Sequence, residues 1–420
     1  MNVCVVGLGY VGLPLACAFA NAGIDVIGID IDEKKVLEIS RGICPIKNEP
    51  GLQGLLHKVL ESGKFSATSD FGVCRKADAI IVCVQTPVVS GKPDYTALCY
   101  ALGSLGRRIQ KGVLVVIEST IMPGTMEKVV KPALEKASGM VAGREFHLVH
   151  VPERVTPGRL LLNLEKMPRV IGGNEEEGIR KAVALYKHIV QAEIDTADWI
   201  TAETTKVVEN TYRDVQIAFA NEVACICEHL GVDFLKLREL VNKVPYRDLH
   251  MAGAGVGGHC IPKDPWLLVS AVEDVYVPEL TLTARRINEG MPAHVVELVM
   301  EAVKGIEMPV IALLGYAYRE ESDDARNTPA EPVRKKLLEI AKEVRVHDPY
   351  VENGFIEHDL CKVIEGADAV VLITAHKVYR QVPQLLERMR HRIIVDARAF
   401  FDDAEVKGCT YIRLGRGKMK

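Results

Sequence analysis

The chain has 420 residues, of which 48% are hydrophobic and 26% are charged, and its net charge is −4 with a pI near 6.3. This length exceeds what one hydrophobic core usually serves, so two or three domains are expected. The slightly acidic balance offers no attraction to nucleic acid or to an anionic membrane, so the sequence predicts neither partner and favours small anionic molecules instead.

The first predicted elements occupy the apolar stretch from Val3 to Ile29. Five glycines, Pro14 and Asp25 interrupt this stretch, and no basic leader precedes it. A signal peptide or a membrane-spanning helix would be more continuous. The stretch therefore predicts a strand, a turn, a helix and a second strand.

Gly7, Gly9 and Gly12 in that turn have the spacing of a dinucleotide-binding loop. Asp30 ends the second strand, where an acid that binds a ribose 2′-hydroxyl is expected. The pattern predicts a dinucleotide site. Asp30 favours NAD over NADP because a 2′-phosphate would meet a negative charge, although two lysines follow it closely.

Polar residues follow two later apolar strands. Glu118, Ser119 and Thr120 come after one strand, and Glu153 comes after the next. Ligands of a doubly wound sheet bind at the carboxyl ends of its strands. We therefore expect both groups to face the cofactor and the reacting carbon.

The first and last parts of the chain repeat one plan. Residues 76–86 resemble residues 366–376, each a buried strand introduced by Ala-Asp-Ala, and 26–30 corresponds to 344–348. Apolar strands alternating with amphipathic segments are typical of a parallel sheet covered by helices on both faces. The predicted fold class is α/β, with two doubly wound Rossmann-like domains joined by a long central helical region.

The predicted domains are residues 1–197 for dinucleotide binding, residues 198–304 for the central helical part, and residues 305–420 for the second Rossmann-like domain. The last domain retains only Gly315 of the three glycines in the dinucleotide loop. It is therefore not expected to bind a second dinucleotide in the same way.

The central part predicts a helix from Asp198 to about Leu230, and another from Val277 to about Lys304 that is interrupted near Gly290 and Pro292.

The first of these helices carries Lys206 and Asn210 one turn apart, with Arg213, Asp214 and Asn221 along roughly the same stripe. Such a stripe could form the floor of an active cleft.

Cys260 lies in the sequence Gly253-Ala-Gly-Val-Gly-Gly-His-Cys-Ile-Pro-Lys-Asp-Pro-Trp266. Four glycines let the backbone approach a ligand, and the nearby Lys263 favours the nucleophilic thiolate. His259 is more simply a structural residue. A dinucleotide site together with a nucleophilic thiol suggests oxidation past the aldehyde to the acid.

The eleven cysteines have irregular spacing and form no Cys-x-x-Cys pair. This pattern argues against a disulfide framework and a structural zinc site, and it fits a reducing cytoplasm. No metal ligands are predicted.

Six motifs occur in order along the chain. They are Gly-Leu-Gly-Tyr-Val-Gly-Leu-Pro, Glu-Ser-Thr-x-x-Pro-Gly, Pro-Glu-Arg-Val, Ala-Glu-x-x-Lys-x-x-Glu-Asn, Gly-Val-Gly-Gly-His-Cys-Ile-Pro-Lys-Asp-Pro and Asp-Asp-x-Arg. Over essentially its whole length the chain thus resembles the nucleotide-sugar 6-dehydrogenases of the UDP-glucose and UDP-N-acetylmannosamine dehydrogenase family.

The resemblance implies a four-electron oxidation of a sugar C6 alcohol to a carboxylate with two NAD⁺. Cys260 would attack the C6 aldehyde and pass through a thiohemiacetal to a thioester, and Glu153 would help water to hydrolyse it. Lys206 and Asn210 would stabilise charge on the C6 oxygen, and Asp264 would position water and Lys206.

The resemblance also implies binding residues. Thr120 would orient the nicotinamide end of the site or the hydrolytic water, and residues 305–420 would bind UDP. The cofactor set is Gly7, Gly9, Tyr10, Val11, Gly12, Asp30, Thr86 and Thr120. The substrate set is Glu153, Arg154, Lys206, Asn210, Arg213, Arg247, Gly257, Arg319 and Arg326.

Two departures from the family pattern affect the nucleotide contacts. Tyr318-Arg319 stands where relatives commonly have Phe-Lys, so a planar guanidinium replaces a point charge. Arg247 lies one position from the arginine that is usual in the N-acetylmannosamine type. By the resemblance, Arg247 would bind the substrate and reach it from a partner subunit.

UDP-N-acetylmannosamine is the first choice of substrate, because Pro-Glu-Arg-Val replaces the Pro-Glu-Phe common in UDP-glucose enzymes. UDP-N-acetylglucosamine and UDP-glucose stay open, as do a two-electron hydroxyacid-type dehydrogenase and a non-enzymatic nucleotide-binding protein. A homodimer through residues 200–230, or a dimer of dimers, is expected by resemblance.

Overall fold

The computed structural model describes residues 1–47, 49–156 and 158–416. The chain divides into two compact units. Unit 1 consists of Met1–Glu209 with Trp266–Tyr276, and unit 2 consists of Asn210–Pro265 with Val277–Lys420. Two helices, introduced below as α8 and α10, contribute residues to both units.

Unit 1 alternates strands and helices, as the sequence predicts. In chain order its elements are β1 (Asn2–Val6), α1 (Gly12–Asn21), β2 (Asp25–Ile29), α2 (Glu33–Ser40), α3 (Leu52–Glu61), β3 (Phe65–Thr68), β4 (Ala79–Val82), β5 (Val88–Val89), β6 (Lys92–Pro93), α4 (Thr96–Gly106), β7 (Leu114–Ile117), α5 (Lys131–Ser138), β8 (His147–His150), α6 (Leu160–Lys166), β9 (Arg169–Gly173), α7 (Glu176–Tyr186) and β10 (Ile194–Ala197).

Eight of these strands form one sheet in the order β10-β9-β8-β7-β4-β1-β2-β3. All neighbours pair in parallel except β8 and β9, which are antiparallel. Strands β4 and β7 are buried along their whole length, and apolar clusters cover both faces of the sheet. These continuous apolar strands are what a sheet covered on both faces requires.

The helices that follow are α8 (Trp199–Leu230), α9 (Phe234–Asn242), α10 (Cys260–Ser270) and α11 (Glu279–Ala302). The remaining elements belong to the sheet of unit 2: β11 (Val310–Leu314), α12 (Ala330–Leu338), β12 (Glu343–His347), β13 (Ile356–Glu357), α13 (Leu360–Ile364), β14 (Ala369–Leu372), α14 (Val382–Leu385), β15 (Ile393–Asp396) and β16 (Thr410–Arg413).

The sheet of unit 2 confirms the predicted repeat. Its order is β13-β12-β11-β14-β15-β16, which matches β3-β2-β1-β4-β7-β8 of unit 1 strand for strand. The turns after β1 and β11 also correspond. Asp30 accepts a hydrogen bond from the backbone NH of Leu8 at 2.9 Å, and Asp348 accepts one from Tyr316 at 2.7 Å.

The predicted interruption of the helix near Gly290 and Pro292 is wrong. Helix α11 continues through both residues. Proline has no NH to bond the carbonyl of Asn288 four residues earlier. A Cβ built on Gly255 would lie 3.1 Å from that carbonyl oxygen, so the loop backbone packs where the helix lacks its usual bond.

A buried polar network connects α8 with α11. Asp214 is fully buried and accepts hydrogen bonds from Arg285 at 2.7 Å and from Asn288 at 2.8 Å. Asn221 donates to the Asn288 side chain at 2.9 Å and accepts from the backbone NH of Gly253 at 2.9 Å. This network anchors the start of the cysteine loop to α8.

Arg213 departs from the predicted stripe. Its residue is exposed, whereas Lys206, Asp214 and Asn221 are buried. Helical spacing places residues on one face of a helix, but it does not show which of them the rest of the unit buries.

Candidate functional site

The glycine turn between β1 and α1 is closed too tightly for side chains at two of its positions. A Cβ on Gly12 would lie 1.8 Å from the carbonyl oxygen of Gly7, and Gly7 has φ of +93°. A Cβ on Gly9 would meet no atom within 4 Å, so space is open beside that backbone. The turn thus presents bare backbone at the amino end of a helix, where a phosphate is favoured.

Asp30 lies at the end of β2 and is buried, and its carboxylate has three partners. Oδ2 accepts from the NH of Leu8 at 2.9 Å and pairs with Lys35 at 2.9 Å, while Oδ1 accepts from Asp32 at 3.0 Å. The lysine that the sequence placed nearby is therefore in direct contact with the predicted ribose ligand. A ribose hydroxyl would have to share this carboxylate with Lys35.

Residues after β4 and β7 are bonded to each other. The Thr86 hydroxyl donates to the carbonyl of Thr120 at 2.5 Å, and the Ser119 hydroxyl donates to the carbonyl of Val84 at 2.6 Å. These bonds fix the backbone of the predicted nicotinamide end of the site.

Glu118 differs from its expected placement toward the cofactor. It is fully buried in an ion pair with Arg169 at 2.7 Å. Burial raises the pKa of Glu118, and the charge of Arg169 opposes that effect. The ion pair joins the carboxyl end of β7 to the amino end of β9 in unit 1.

Glu153 and Lys206, two of the predicted catalytic residues, form an ion pair in unit 1. Their charged groups are 3.4 Å apart and both side chains are almost completely buried. The other oxygen of Glu153 accepts from the backbone NH of Val155 at 2.6 Å, which fixes the carboxylate. Beside them, Arg154 is bonded to Glu209 and to the carbonyl of Pro168 at 2.8 Å.

Cys260 is the first residue of α10, so it opens a helix rather than lying within the loop. The first turn of a helix stabilises negative charge on a nearby group. Gly257 and Gly258 precede it and are covered by Tyr318. A Cβ on Gly257 would lie 2.4 Å from the Tyr318 Cβ, and one on Gly258 would lie 2.9 Å from its ring.

Asp264 is fully buried and connects α10 with α8. Asn210 donates its amide to Asp264 at 2.5 Å, and Lys263 pairs with Asp264 at 2.9 Å. This contact orients the Asn210 amide. Burial, assisted by the charges of Lys263 and Arg326, lowers the pKa of His259, so its imidazole is neutral at neutral pH.

Arg326 lies beside the cysteine loop. Its carbonyl accepts from the NH of Gly258 at 2.8 Å, and its guanidinium is bonded to Asp324, with Nε to Oδ1 at 2.9 Å. Arg319 is half-buried, and Arg247 is exposed next to Tyr246, whose side chain is 100% exposed. Unit 2 therefore brings Arg326 to the cysteine loop and leaves Arg247 in solvent.

Three segments of the chain match the domains of one known protein family. Residues 1–190 match the NAD binding domain of the UDP-glucose/GDP-mannose dehydrogenase family, residues 200–290 match its central domain, and residues 312–403 match its UDP binding domain. A UDP-N-acetyl-D-mannosamine dehydrogenase from Pyrococcus horikoshii is 41% identical over 99% of this chain and 100% of the relative.

The chain belongs to the UDP-glucose/GDP-mannose dehydrogenase family. A solved structure of a UDP-D-ManNAc dehydrogenase from P. horikoshii superposes with a TM-score of 0.95 at 40% identity and covers both chains completely. The structure of an NDP-N-acetyl-D-galactosaminuronic acid dehydrogenase from Methanosarcina mazei has a TM-score of 0.87 at 37% identity, covering 99% of this chain and 95% of the other.

This membership confirms several predictions. The fold class, the NAD cofactor and the class of enzyme, an NAD-dependent UDP-sugar dehydrogenase, agree with the family. The open backbone at Gly9 and the tight contact at Gly12 fit a dinucleotide phosphate at this turn. Within the described residues, no helix has the length and apolar character needed to cross a membrane.

Asp30→Ala is expected to weaken NAD⁺ binding about tenfold or more. The change removes a charge-assisted hydrogen bond worth about 1.5–3 kcal/mol. Calorimetric titration with NAD⁺ measures the effect. Asp25→Ala is the matched control, because Asp25 lies at the other end of β2 in an exposed pair with Lys64. Equal affinities for the Asp30 variant and the parent would exclude Asp30 as the ribose ligand.

Sequence reasoning missed two residues of this site. Glu203 is buried on α8 and bonds backbone NH groups beyond the Glu-Ser-Thr motif, and Tyr318 covers the glycines before Cys260. Glu203 is part of the Ala-Glu-x-x-Lys-x-x-Glu-Asn motif, but the motif alone does not show which backbone groups its carboxylate binds. Tyr318 was noticed only as a departure from the family pattern.

Proposed function

We propose that this enzyme oxidises C6 of UDP-N-acetyl-D-mannosamine to the carboxylate through a covalent intermediate on Cys260. The observation that carries the proposal is a thiol at the first turn of α10, after a loop of glycines. A two-electron dehydrogenase of the same fold needs no such thiol. We further propose that this group and the Glu153–Lys206 pair act on one substrate.

In the first oxidation C6 loses a hydride to NAD⁺ and its hydroxyl loses a proton to water, so the site needs groups that stabilise negative charge on the C6 oxygen. Lys206 can do so as a cation, and Asn210 can donate its amide because Asp264 orients it. Gly7, Gly9, Gly12 and Asp30, with Tyr10, Val11, Thr86 and Thr120 nearby, would hold NAD⁺. The bound NAD⁺ would supply the hydride acceptor for each of the two oxidations.

Cys260 then forms a bond from Sγ to the aldehyde carbon, which gives a thiohemiacetal, and oxidation of that adduct gives a thioester. Glu153 takes a proton from water as the water attacks the thioester carbonyl. The carbon–sulfur bond breaks with the Cys260 thiolate as the leaving group, and the acid formed loses its second proton to solvent and dissociates as the carboxylate. Glu153 suits this role because its buried carboxylate is fixed by Val155 and lies beside Lys206.

The choice of sugar is supported by the names of similar proteins. Relatives at 41% and 36% identity, from P. horikoshii and Methanocaldococcus jannaschii, are UDP-N-acetyl-D-mannosamine dehydrogenases. The M. mazei structure favours a second candidate, another nucleotide-linked N-acetylated sugar. Both candidates retain the N-acetyl group and differ in the configuration of the ring.

A panel of UDP-sugars with NAD⁺ tests the function. We expect the highest kcat/KM for UDP-N-acetylmannosamine over UDP-N-acetylglucosamine, UDP-N-acetylgalactosamine and UDP-glucose, with two NADH formed per sugar and an acid identified by mass. One NADH per sugar would indicate a two-electron enzyme. No NADH with any member of the panel would reject the proposed substrate class.

The nucleotide end of the substrate is assigned to residues 305–420. Arg326 and Arg319 supply guanidinium groups suited to phosphate, and Gly257 provides bare backbone at the loop that Arg326 contacts. Arg154, Arg213 and Arg247 stay proposed substrate ligands. Arg154 would have to exchange its bond to Glu209, while the exposed Arg213 and Arg247 would need a partner subunit or a bound substrate to cover them.

The three-domain division at residues 197 and 304, and a location in the cytoplasm, are also proposed. The cytoplasmic location is supported by eleven cysteines without paired spacing.

We propose a homodimer, or a dimer of dimers, through α8. Its exposed apolar residues include Tyr212, Phe219 and Ile226, which recur every seven residues and are 63%, 58% and 48% exposed. Such a patch on a helix favours a second copy of the same helix.

Phe219→Asp is expected to shift the protein to monomers in light scattering, because a buried charge would be placed at the centre of the interface. Val275→Asp, which changes an 86% exposed residue outside α8, is the control. A Phe219→Asp variant that keeps the parental mass would place the interface elsewhere.

A further inference from the structure

We propose that Glu203 is a positioning residue which, as a carboxylate, holds the turn after Thr120 against α8 in register with Lys206. Glu203 belongs to the Ala-Glu-x-x-Lys-x-x-Glu-Asn motif, but the sequence analysis assigns it no role at the site. The inference rests on the proposed function for its effect on turnover, but the contact itself can be tested without substrate.

The contact joins α8 to the turn between β7 and α5. One carboxylate oxygen of Glu203 accepts from the NH of Gly124 at 2.7 Å, and the other accepts from the NH of Met126 at 2.7 Å. Glu203 is only 1% exposed. Gly124 has φ of +90°, which glycine adopts readily, so the shape of this turn depends on its glycine.

Hydrogen bonds to Tyr95 hold the same turn from a second side. Tyr95, just before α4, accepts from the NH of Met122 at 2.8 Å, and its hydroxyl lies 3.0 Å from that of Thr125. Glu203 and Tyr95 together fix the turn that immediately follows Thr120. Thr120 in turn accepts from Thr86, so the effect of Glu203 extends to the predicted nicotinamide end of the site.

Lys206 is three residues after Glu203, on the neighbouring turn of α8. Any shift of α8 relative to the turn would therefore move Lys206 relative to both Glu153 and Thr120. Glu203 thus connects a catalytic cation on a helix with the loop at a strand end.

The charge state of Glu203 decides how many bonds it can accept. An ionised carboxylate accepts both NH groups, whereas a protonated one has an oxygen that must donate. Burial raises the pKa of Glu203 to about 7, and the NH groups of Met126, Gly124 and Thr125 oppose that rise. Ionisable residues on the elements around Glu203 include Tyr95 before α4, Glu127 and Lys128 after the turn, and Lys206 and Glu209 on α8.

Two pH effects of opposite sign follow. The hydrogen bonds from the turn to Glu203 strengthen as pH rises through about 7, because the carboxyl group ionises. Global stability changes the other way, because the folded-state pKa of Glu203 exceeds its usual value. Its contribution to the free energy of unfolding is complete below the usual pKa of 4.5 and is lost as pH rises through about 7.

Hydrogen exchange without substrate tests the contact. In the parent, protection of the Gly124 and Met126 amides, corrected for intrinsic exchange, is expected to rise between pH 6 and pH 8. Glu203→Gln should lower that protection about tenfold at pH 8 and remove its pH dependence. Glu203→Asp keeps the charge and should recover part of it. Glu165→Gln changes a 42% exposed glutamate of α6 and should match the parent.

Kinetics with the sugar identified by the panel tests the role. Glu203→Gln should lower kcat by about tenfold to a hundredfold with little change in KM. The parent is expected to have an acid limb near pH 7 in its kcat profile, and the variant should lose it. Parental kcat and an unchanged acid limb in a folded Glu203→Gln protein would overturn the positioning role. Unchanged amide protection would overturn the contact, whichever substrate the enzyme uses.

Denaturation against pH covers the case in which Glu203→Gln folds poorly. The unfolding midpoint of the parent minus that of Glu203→Gln should fall from pH 5 to pH 8. A difference that is constant over this range would contradict a titrating Glu203.

Discussion

Cys260→Ser is expected to lower the rate of uronic acid formation on the order of a thousandfold or more. A serine hydroxyl is a far weaker nucleophile than a thiolate at neutral pH, so the aldehyde is no longer captured as a covalent adduct. The measurement is NADH formed per sugar together with product mass. The parent should give two NADH and the acid, and the variant should give at most one NADH and the aldehyde, trapped as a hydrazone.

Cys99→Ser is the matched control, because Cys99 is exposed and lies on α4 away from the thiol loop in sequence. It should retain parental kcat. The Cys260 variant is isosteric apart from its sulfur, so its fold and its NAD⁺ affinity should be unchanged. Parental acid production by Cys260→Ser would mean that the thiol is structural and that no thioester forms.

The sequence predicted the parts of the fold that local patterns determine. Buried strands of continuous apolar residues need helices on both faces, so the two Rossmann-like sheets followed from pattern alone. The repeat extends further than the sequence suggests. Asp30 and Asp348 both accept backbone NH groups from the turn after the first strand of their sheet, although only the first turn retains the dinucleotide glycines.

The features that were missed depend on contacts between distant segments. Pro292 predicts a helix break, but the Gly255 backbone packs where the helix bond is absent, and α11 continues. Helical spacing placed Arg213 with Lys206, yet tertiary packing left Arg213 exposed.

The partners of Glu203 lie nearly eighty residues away in the chain, at Gly124 and Met126. No local pattern in one sequence shows that contact. The residue types at the site could be predicted, but the groups that hold them in place could not.

Glu153→Gln is expected to slow hydrolysis of the intermediate by about a hundredfold to ten-thousandfold, the usual value of a general base. The amide keeps the size of the carboxylate and can still accept from Val155, but it cannot take a proton from water. The steps before hydrolysis should be less affected. A thioester should therefore accumulate on Cys260, visible as a mass increase on the intact protein after mixing with UDP-sugar and NAD⁺.

Two control variants show whether the added mass depends on Glu153 and on Cys260. Glu165→Gln changes a 42% exposed glutamate of α6 and should show neither slow turnover nor added mass. The double variant Glu153→Gln with Cys260→Ser should lose the added mass, because no thiol is present to carry it. If Glu153→Gln turns over slowly without any adduct on Cys260, Glu153 acts before the covalent step, with Lys206 at the alcohol. In that case another group must activate the water, and Asp264, buried against Asn210 and Lys263, would be the next carboxylate to test.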